Sequence, residues 1–203
     1  MKVILGSSSP RRLDILSIFF NDIAVIKPHI DETLLPGESP VTHVERLALE
    51  KCLAIEELLH HDSELTSLLV TSDTIVTIDN DILGKPSSYS EAVNMISRLT
   101  GRTHTVISGV TIAYTRNNER IRVTGHEATS VTFKHMNEKQ VDHYLSLIHY
   151  MDKAGSYAIQ DYGYLIVDNI SGSYSNVIGF PLRLFWKMAS SAGIIENIFN
   201  TFK

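Results

Sequence analysis

The chain has 203 residues, 43% of them hydrophobic and 20% charged, which is ordinary usage for one globular domain and argues against global disorder. Eighteen basic against 23 acidic side chains leave a formal net charge of −5, a poor balance for nucleic-acid binding, which shows a basic footprint. No apolar run approaches the roughly 18–20 residues that span a bilayer, so neither a membrane nor a nucleic acid is an expected partner.

The apolar stretch near the N-terminus, Val3-Ile4-Leu5, is far shorter than the roughly 7–15 residues of a signal-peptide core, and the single cysteine, Cys52, excludes an intrachain disulfide. A cytoplasmic protein is expected. A small anion remains open as a ligand, because a local group of cations defines a pocket whatever the global sign.

Lys2 to Gly6 reads as a buried strand. It runs into Ser7-Ser8-Ser9-Pro10, after which Leu13, Leu16 and Phe20 recur at helical spacing, with proline at its favoured first helical position. Ile23 to Ile26 is a second strand. After a polar loop through Asp31, Glu32, Pro36 and Gly37, Ser39-Pro40 opens a helix to about His61. Leu68 to Ile78, rich in β-branched residues, is the strongest strand signal, interrupted by polar Ser72-Asp73-Thr74.

Ser88 and Glu91 make a capping-box pattern ahead of Ala92, Met95, Ile96 and Leu99, and Gly101 stops that helix. Val106 to Tyr114 and Ile121 to Phe133 read as paired strands around an Asn117-Asn118 turn. Asn137 and Gln140 cap a helix to about His149. Tyr164 to Ile170 is a strand, and Pro181 starts a last helix ending near Gly193. The alternation predicts a single α/β domain over residues 1–203, with a mixed sheet and flanking helices.

Several motifs fail on inspection. His126-Glu127 lacks the second histidine of a zinc-protease helix, since Ser130 stands there, and His60-His61 at a polar helix end reads as solvated. Asp79-Asn80-Asp81 followed by Gly84 resembles the start of a calcium loop, but its twelfth position is Ser90 and the flanks read as a hairpin.

Four segments carry chemistry. Ser7-Ser8-Ser9-Pro10-Arg11-Arg12 brings hydroxyls, free backbone N–H groups and two guanidiniums to a helix N-terminus, where anions are favoured. Ser72-Asp73-Thr74 places a carboxylate inside an apolar strand, a costly position unless it is paired or bound to a metal. Gly84-Lys85-Pro86 puts a lysine in a rigid turn. Asp152 to Gln160 and Gly172 to Leu182 are rich in small and polar residues suited to close backbone approach. Each segment also has an unexceptional reading: a capped surface helix, a bulge, an exposed turn lysine, and long surface loops.

Together, in this order, S-S-S-P-R-R, S-D-T, G-K-P with the later R-L-T-G-R-T-H, and D-K-A-G-S-Y-A-I-Q through G-S-Y-S-N-V-I-G-F-P-L resemble the Maf family. The blocks extend from residue 5 to about 184. The resemblance implies an inosine-triphosphatase-like α/β fold with a cleft between two lobes. It also implies nucleoside triphosphate pyrophosphatase activity, with a divalent metal cation (Mg²⁺ or Mn²⁺) as cofactor and a nucleotide as small-molecule substrate.

By matching position, Ser7, Arg11, Arg12, Lys51 and Lys85 would hold phosphates and Asp73 would be the proton acceptor. Glu32 and Asp73 are the candidate metal contacts. Arg11, Thr74 and Gln160 resemble the dTTP/UTP branch, and a neutral amide at position 160 suits the mixed donor–acceptor edge of uracil or thymine. Competing expectations are a 7-methyl-GTP pyrophosphatase and a non-catalytic binding factor that inhibits septum formation. A homodimer is compatible with the apolar content. Gly6, where the family often has alanine, and Phe180, for leucine, depart from the pattern.

Overall fold

The structure, a computed structural model, describes residues 2–59, 67–116 and 119–199. In chain order its elements begin with β1 (Val3–Gly6), α1 (Pro10–Ser17), β2 (Ile23–Ile26), α2 (Pro40–Leu59), β3 (Leu68–Ile78) and β4 (Asp81–Leu83). There follow α3 (Tyr89–Leu99), β5 (Thr103–Arg116), β6 (Glu119–Phe133), α4 (Glu138–Leu147) and a single 3₁₀ turn at Ala154–Ser156. The chain continues with α5 (Gly163–Ile166), β7 (Val167–Ser171), α6 (Tyr174–Ile178), α7 (Leu182–Ser191) and α8 (Ile195–Phe199).

Among the described residues seven strands form one sheet in the order β2-β1-β3-β5-β6-β7, with β4 paired to β3. β1 is parallel to β2 and β3, while β3–β4 and β6–β7 are antiparallel, so the sheet is mixed as expected. Among the described residues no helix is long and apolar enough to cross a membrane.

The chain divides into two compact units. The first comprises residues 1–73, 108–127 and 179–203. Its core includes Ile4, Cys52, Ile55, Leu69 and Ala113, where α2 covers the sheet. Gly109 allows the closest approach: a Cβ there would meet the Val44 carbonyl oxygen at 2.2 Å. At Gly6 a Cβ would meet Ile55 Cδ1 at 2.4 Å and Thr71 Cγ2 at 2.5 Å. Those two side chains occupy the space an alanine would need, which accounts for the departure from the family pattern. Glu56 on α2 is clasped by Arg120 and Arg122 of β6.

The second unit comprises residues 74–107 and 128–178, with a core that includes Val76, Ile96, Phe133, Tyr144 and Tyr157. Asp79 and Asn80, with φ of 53° and 67°, make the two-residue turn joining β3 to β4, so the calcium-like motif is a hairpin turn. The Ser88 hydroxyl caps α3 by accepting from Glu91 N–H. The Glu91 carboxylate in turn takes the N–H and hydroxyl of Ser87. Asn137 and Gln140 form the complete reciprocal box at α4.

Two expectations need correction. The strand placed at Tyr164 begins instead at Val167, because left-handed Tyr162 (φ 56°) and a bond from Leu165 N–H to its carbonyl wind residues 163–166 into one helical turn. The helix after Pro181 is also not the last, since α8 follows Gly193, whose φ of +68° ends the preceding segment. His60-His61 and Asn117-Asn118 lie outside the described residues.

Candidate active site

The first unit builds its site at a switch in strand order. From β1 the chain crosses through α1 to β2 on one side, then through α2 to β3 on the other, so β1 and β3 are parallel neighbours with reversed connections. The carboxyl ends of strands at such a point are where open α/β sheets bind ligands. The register pairs Gly6 with Thr71, which brings Ser7, just past the end of β1, level with Ser72, where the parallel pairing stops while β3 runs on to Ile78.

Helix α2 is fixed to this corner by a buried bond: Thr71 Oγ1 donates to the Ala48 carbonyl at 2.6 Å. One helical turn beyond Ala48 is Lys51, and two strand residues beyond Thr71, on the same face, is Asp73. Their side chains meet, with Lys51 Nζ 2.6 Å from Asp73 Oδ1. Lys51 is 6% and Asp73 8% exposed. The same ammonium lies 2.6 Å from Glu32 Oε1, whose side chain is half exposed.

The two arginines of the first motif behave differently. Arg12 folds back into the protein: Nε donates to the Gly179 carbonyl at 2.9 Å, and Nη1 to Ser7 Oγ at 3.0 Å and the Ser72 carbonyl at 2.7 Å. Ser7 Oγ also accepts from Ser9 N–H at 3.1 Å. Burial holds the Arg12 pKa below its usual value, with the Asp73 and Glu32 charges opposing that and the Arg11 charge reinforcing it. All four charged groups therefore share one electrostatic neighbourhood. Arg12 joins the serine segment, the S-D-T strand and the closing G-F-P-L of the last motif through these bonds. Arg11 occupies the first turn of α1, which has no acidic residue of its own. Ser9 stands at the N-cap position without a side-chain capping bond.

Sequence reasoning missed the buried Ser72 hydroxyl, which has no hydrogen-bond partner among the described residues, and the Gly179 carbonyl as an arginine acceptor. Nothing local marks either one. Cys52, burial of which pushes its thiol up to about 12, is inert packing.

Thr74, Lys85 and Gln160 belong to the second unit. Lys85 is exposed in the turn after β4, and Gly84 accepts a bond from Gly155 N–H at 3.0 Å, joining the G-K-P and D-K-A-G blocks. Lys153 of that last block is buried, with its ammonium 2.8 Å from Asp152 Oδ1. Gln160 is exposed, but the residues before it are not loose loop. Tyr144 OH bonds both the N–H and the carbonyl of Ala158 at 3.2 Å, and Tyr157 OH lies 2.8 Å from His104 Nε2. His104 also packs edge-on against Phe133, and burial lowers its pKa to about 4.

Among the described residues no group of three or more His, Cys, Asp or Glu side chains forms a metal cage. Glu32 and Asp73 nevertheless bring two carboxylates to one ammonium. Magnesium is ordinarily held by one or two carboxylates together with substrate phosphates, so this donor set fits an ion that binds with a polyphosphate.

Fold and cluster define a class: an α/β protein with an acid, a lysine and an arginine tie at the carboxyl end of β1, where its parallel pairing with β3 stops, beside a helix start suited to anions. The family model described as Maf-like protein matches residues 2–192, and the chain belongs to the Maf family. It is 41% identical over 182 residues to the dTTP/UTP pyrophosphatase of Pyrococcus abyssi (strain GE5 / Orsay), covering 90% of this chain and 91% of that protein. It is 39% identical over 182 residues to the dTTP/UTP pyrophosphatase of Clostridioides difficile (strain 630), with 90% of each covered. Against the protein of the same name from Thermosipho africanus (strain TCF52B), identity is 35% over 97% of this chain and 96% of that one.

Proposed function

We propose that this chain is a nucleoside triphosphate pyrophosphatase that hydrolyses dTTP and UTP between the α and β phosphates. The products are the nucleoside monophosphate and pyrophosphate. The observation that carries the reaction type is the buried Asp73–Lys51 pair beside Glu32, in the electrostatic neighbourhood of Arg11 and Arg12. The substrate follows the names of the relatives and the trio Arg11, Thr74 and Gln160.

Asp73 accepts the proton of the attacking water, a role that needs reach of about 3 Å. The water oxygen bonds to the α phosphorus as the bond to the bridging oxygen breaks, and the electron pair leaves on pyrophosphate. Stabilising that charge is the main task in phosphoryl transfer. Ser7, Arg11, Arg12, Lys51 and Lys85 are assigned to the phosphates. Arg12 contributes its charge while its bonds hold Ser7 and the Ser72 carbonyl in place. Thr74 and Gln160 are assigned to the pyrimidine.

Glu32 and Asp73 would hold the divalent cation, which supplies charge neutralisation at the phosphates and a more acidic water. A cytoplasmic setting suits a lone, buried thiol.

Purified protein incubated with a nucleotide panel and Mg²⁺, with products identified, tests this reading. Formation of UMP or dTMP with pyrophosphate supports it. Preference for 7-methyl-GTP displaces the substrate assignment, and binding without turnover displaces the reaction.

A further inference from the structure

On the pyrophosphatase reading above, Glu32 has to be held at the site by more than its own side chain. Glu32 lies in an exposed stretch, residues 31–37, between β2 and α2. A half-exposed carboxylate gains little from one ion pair, so the contact with Lys51 does not by itself fix the loop.

The loop is gripped from another direction. Arg46 of α2 holds the Glu38 carboxylate with both prongs of its guanidinium, Nε to Oε1 at 2.6 Å and Nη2 to Oε2 at 2.9 Å. Glu38 also accepts from Leu35 N–H at 3.1 Å and lies 2.9 Å from His43 Nδ1, and its side chain is only 4% exposed. These bonds, Arg46 first, bring its carboxyl down to about 2. Arg46 Nη2 then donates at 3.0 Å to the carbonyl of Thr33, the residue directly after Glu32. Thr33 N–H and hydroxyl close onto Oδ1 of Asp31, the residue directly before Glu32. Arg46 Nη1 reaches Glu50, the neighbour of Lys51, at 3.1 Å.

We propose that Arg46, braced by Glu38, is the positioning residue that sets Glu32 against Lys51. It touches none of the groups assigned to substrate. Its role is to anchor the backbone of the Glu32 loop to the helix that carries Lys51.

The test is a double-mutant cycle with Arg46→Gln, Glu32→Gln and the pair, read as kcat/KM for UTP with saturating Mg²⁺ and as amide hydrogen exchange over residues 31–35. Arg46→Gln is expected to lower kcat/KM about tenfold in the wild-type background and less than about twofold once Glu32 is gone. Exchange over residues 31–35 should quicken while α2 stays protected. An equal loss in both backgrounds, unchanged exchange in the loop, or a fully active Glu32→Gln protein overturns the proposal. If Arg46→Gln does not fold, Glu38→Gln weakens the same brace from the other side and must give the same pattern. If the wild-type chain turns over no nucleotide, the pyrophosphatase reading fails, and the exchange measurement judges the brace on its own.

Discussion

Lys51 Nζ lies 2.6 Å from Asp73 Oδ1, and both residues are more than nine-tenths buried. The contact follows from the Thr71–Ala48 bond one step earlier on each element, which fixes the helix to the strand before either charge is reached. Neither charge is stable alone at that depth, and removing one partner of a buried pair strands the other.

Lys51→Met should therefore destabilise the fold as well as stop turnover. Urea denaturation is expected to give a loss of about 3 kcal/mol, because two carboxylates are left facing each other without their cation. A stability equal to wild type would mean that the pair does not exist in solution.

Arg11 and Arg12 should separate experimentally. Arg12→Lys keeps the charge but cannot reproduce bonds to Gly179, Ser7 and Ser72, and is expected to cost about 1–3 kcal/mol of stability together with kcat. Arg11→Lys, at the helix start, is expected to raise KM with a smaller loss of Tm than Arg12→Lys. Identical profiles for the two variants would contradict the division of labour.

Gly109→Ala tests the packing of α2 on β5. With the Val44 carbonyl oxygen 2.2 Å from the new Cβ, backbone must move, and a loss of about 2–3 kcal/mol is expected in thermal or urea unfolding. Gly84→Ala, where nothing lies within 4 Å, is the matched control and should change little.

His104 gives the fold a defined acid response. Burial lowers its pKa to about 4, against about 6.5 in the unfolded chain, so the unfolded state binds more protons between those values. Its contribution is complete above pH ~6.5 and is lost as pH falls through ~4, up to about 3 kcal/mol. His104→Asn should flatten the stability-against-pH curve in that window, measured by Tm from pH 4 to 8.

Much of the site was legible because its cost is written into the sequence. A carboxylate amid Leu68 to Ile78 needs a partner, and serine-proline-arginine at a helix start forms an anion cradle. The difference between Arg11 and Arg12 was not legible. The acceptors that bind Arg12 lie 60 and 167 residues away and are backbone carbonyls, which no side-chain pattern marks. The turn at 163–166 was missed because it depends on Tyr162 adopting a positive φ, a conformation without glycine's signature. The segment before Gln160, suited by composition either to ligand approach or to a surface loop, is buried and tied by Tyr144 and Tyr157. Those ties are long-range and appear only in the fold.

On the proposed mechanism Asp73 takes the proton from water at the α phosphate. The most direct measurement is kcat of Asp73→Asn with UTP and Mg²⁺, alongside circular dichroism and nucleotide binding on the same sample. A folded, UTP-binding protein whose kcat has dropped by about a thousandfold or more is the predicted result. Turnover to UMP and pyrophosphate within a few-fold of wild type would contradict it.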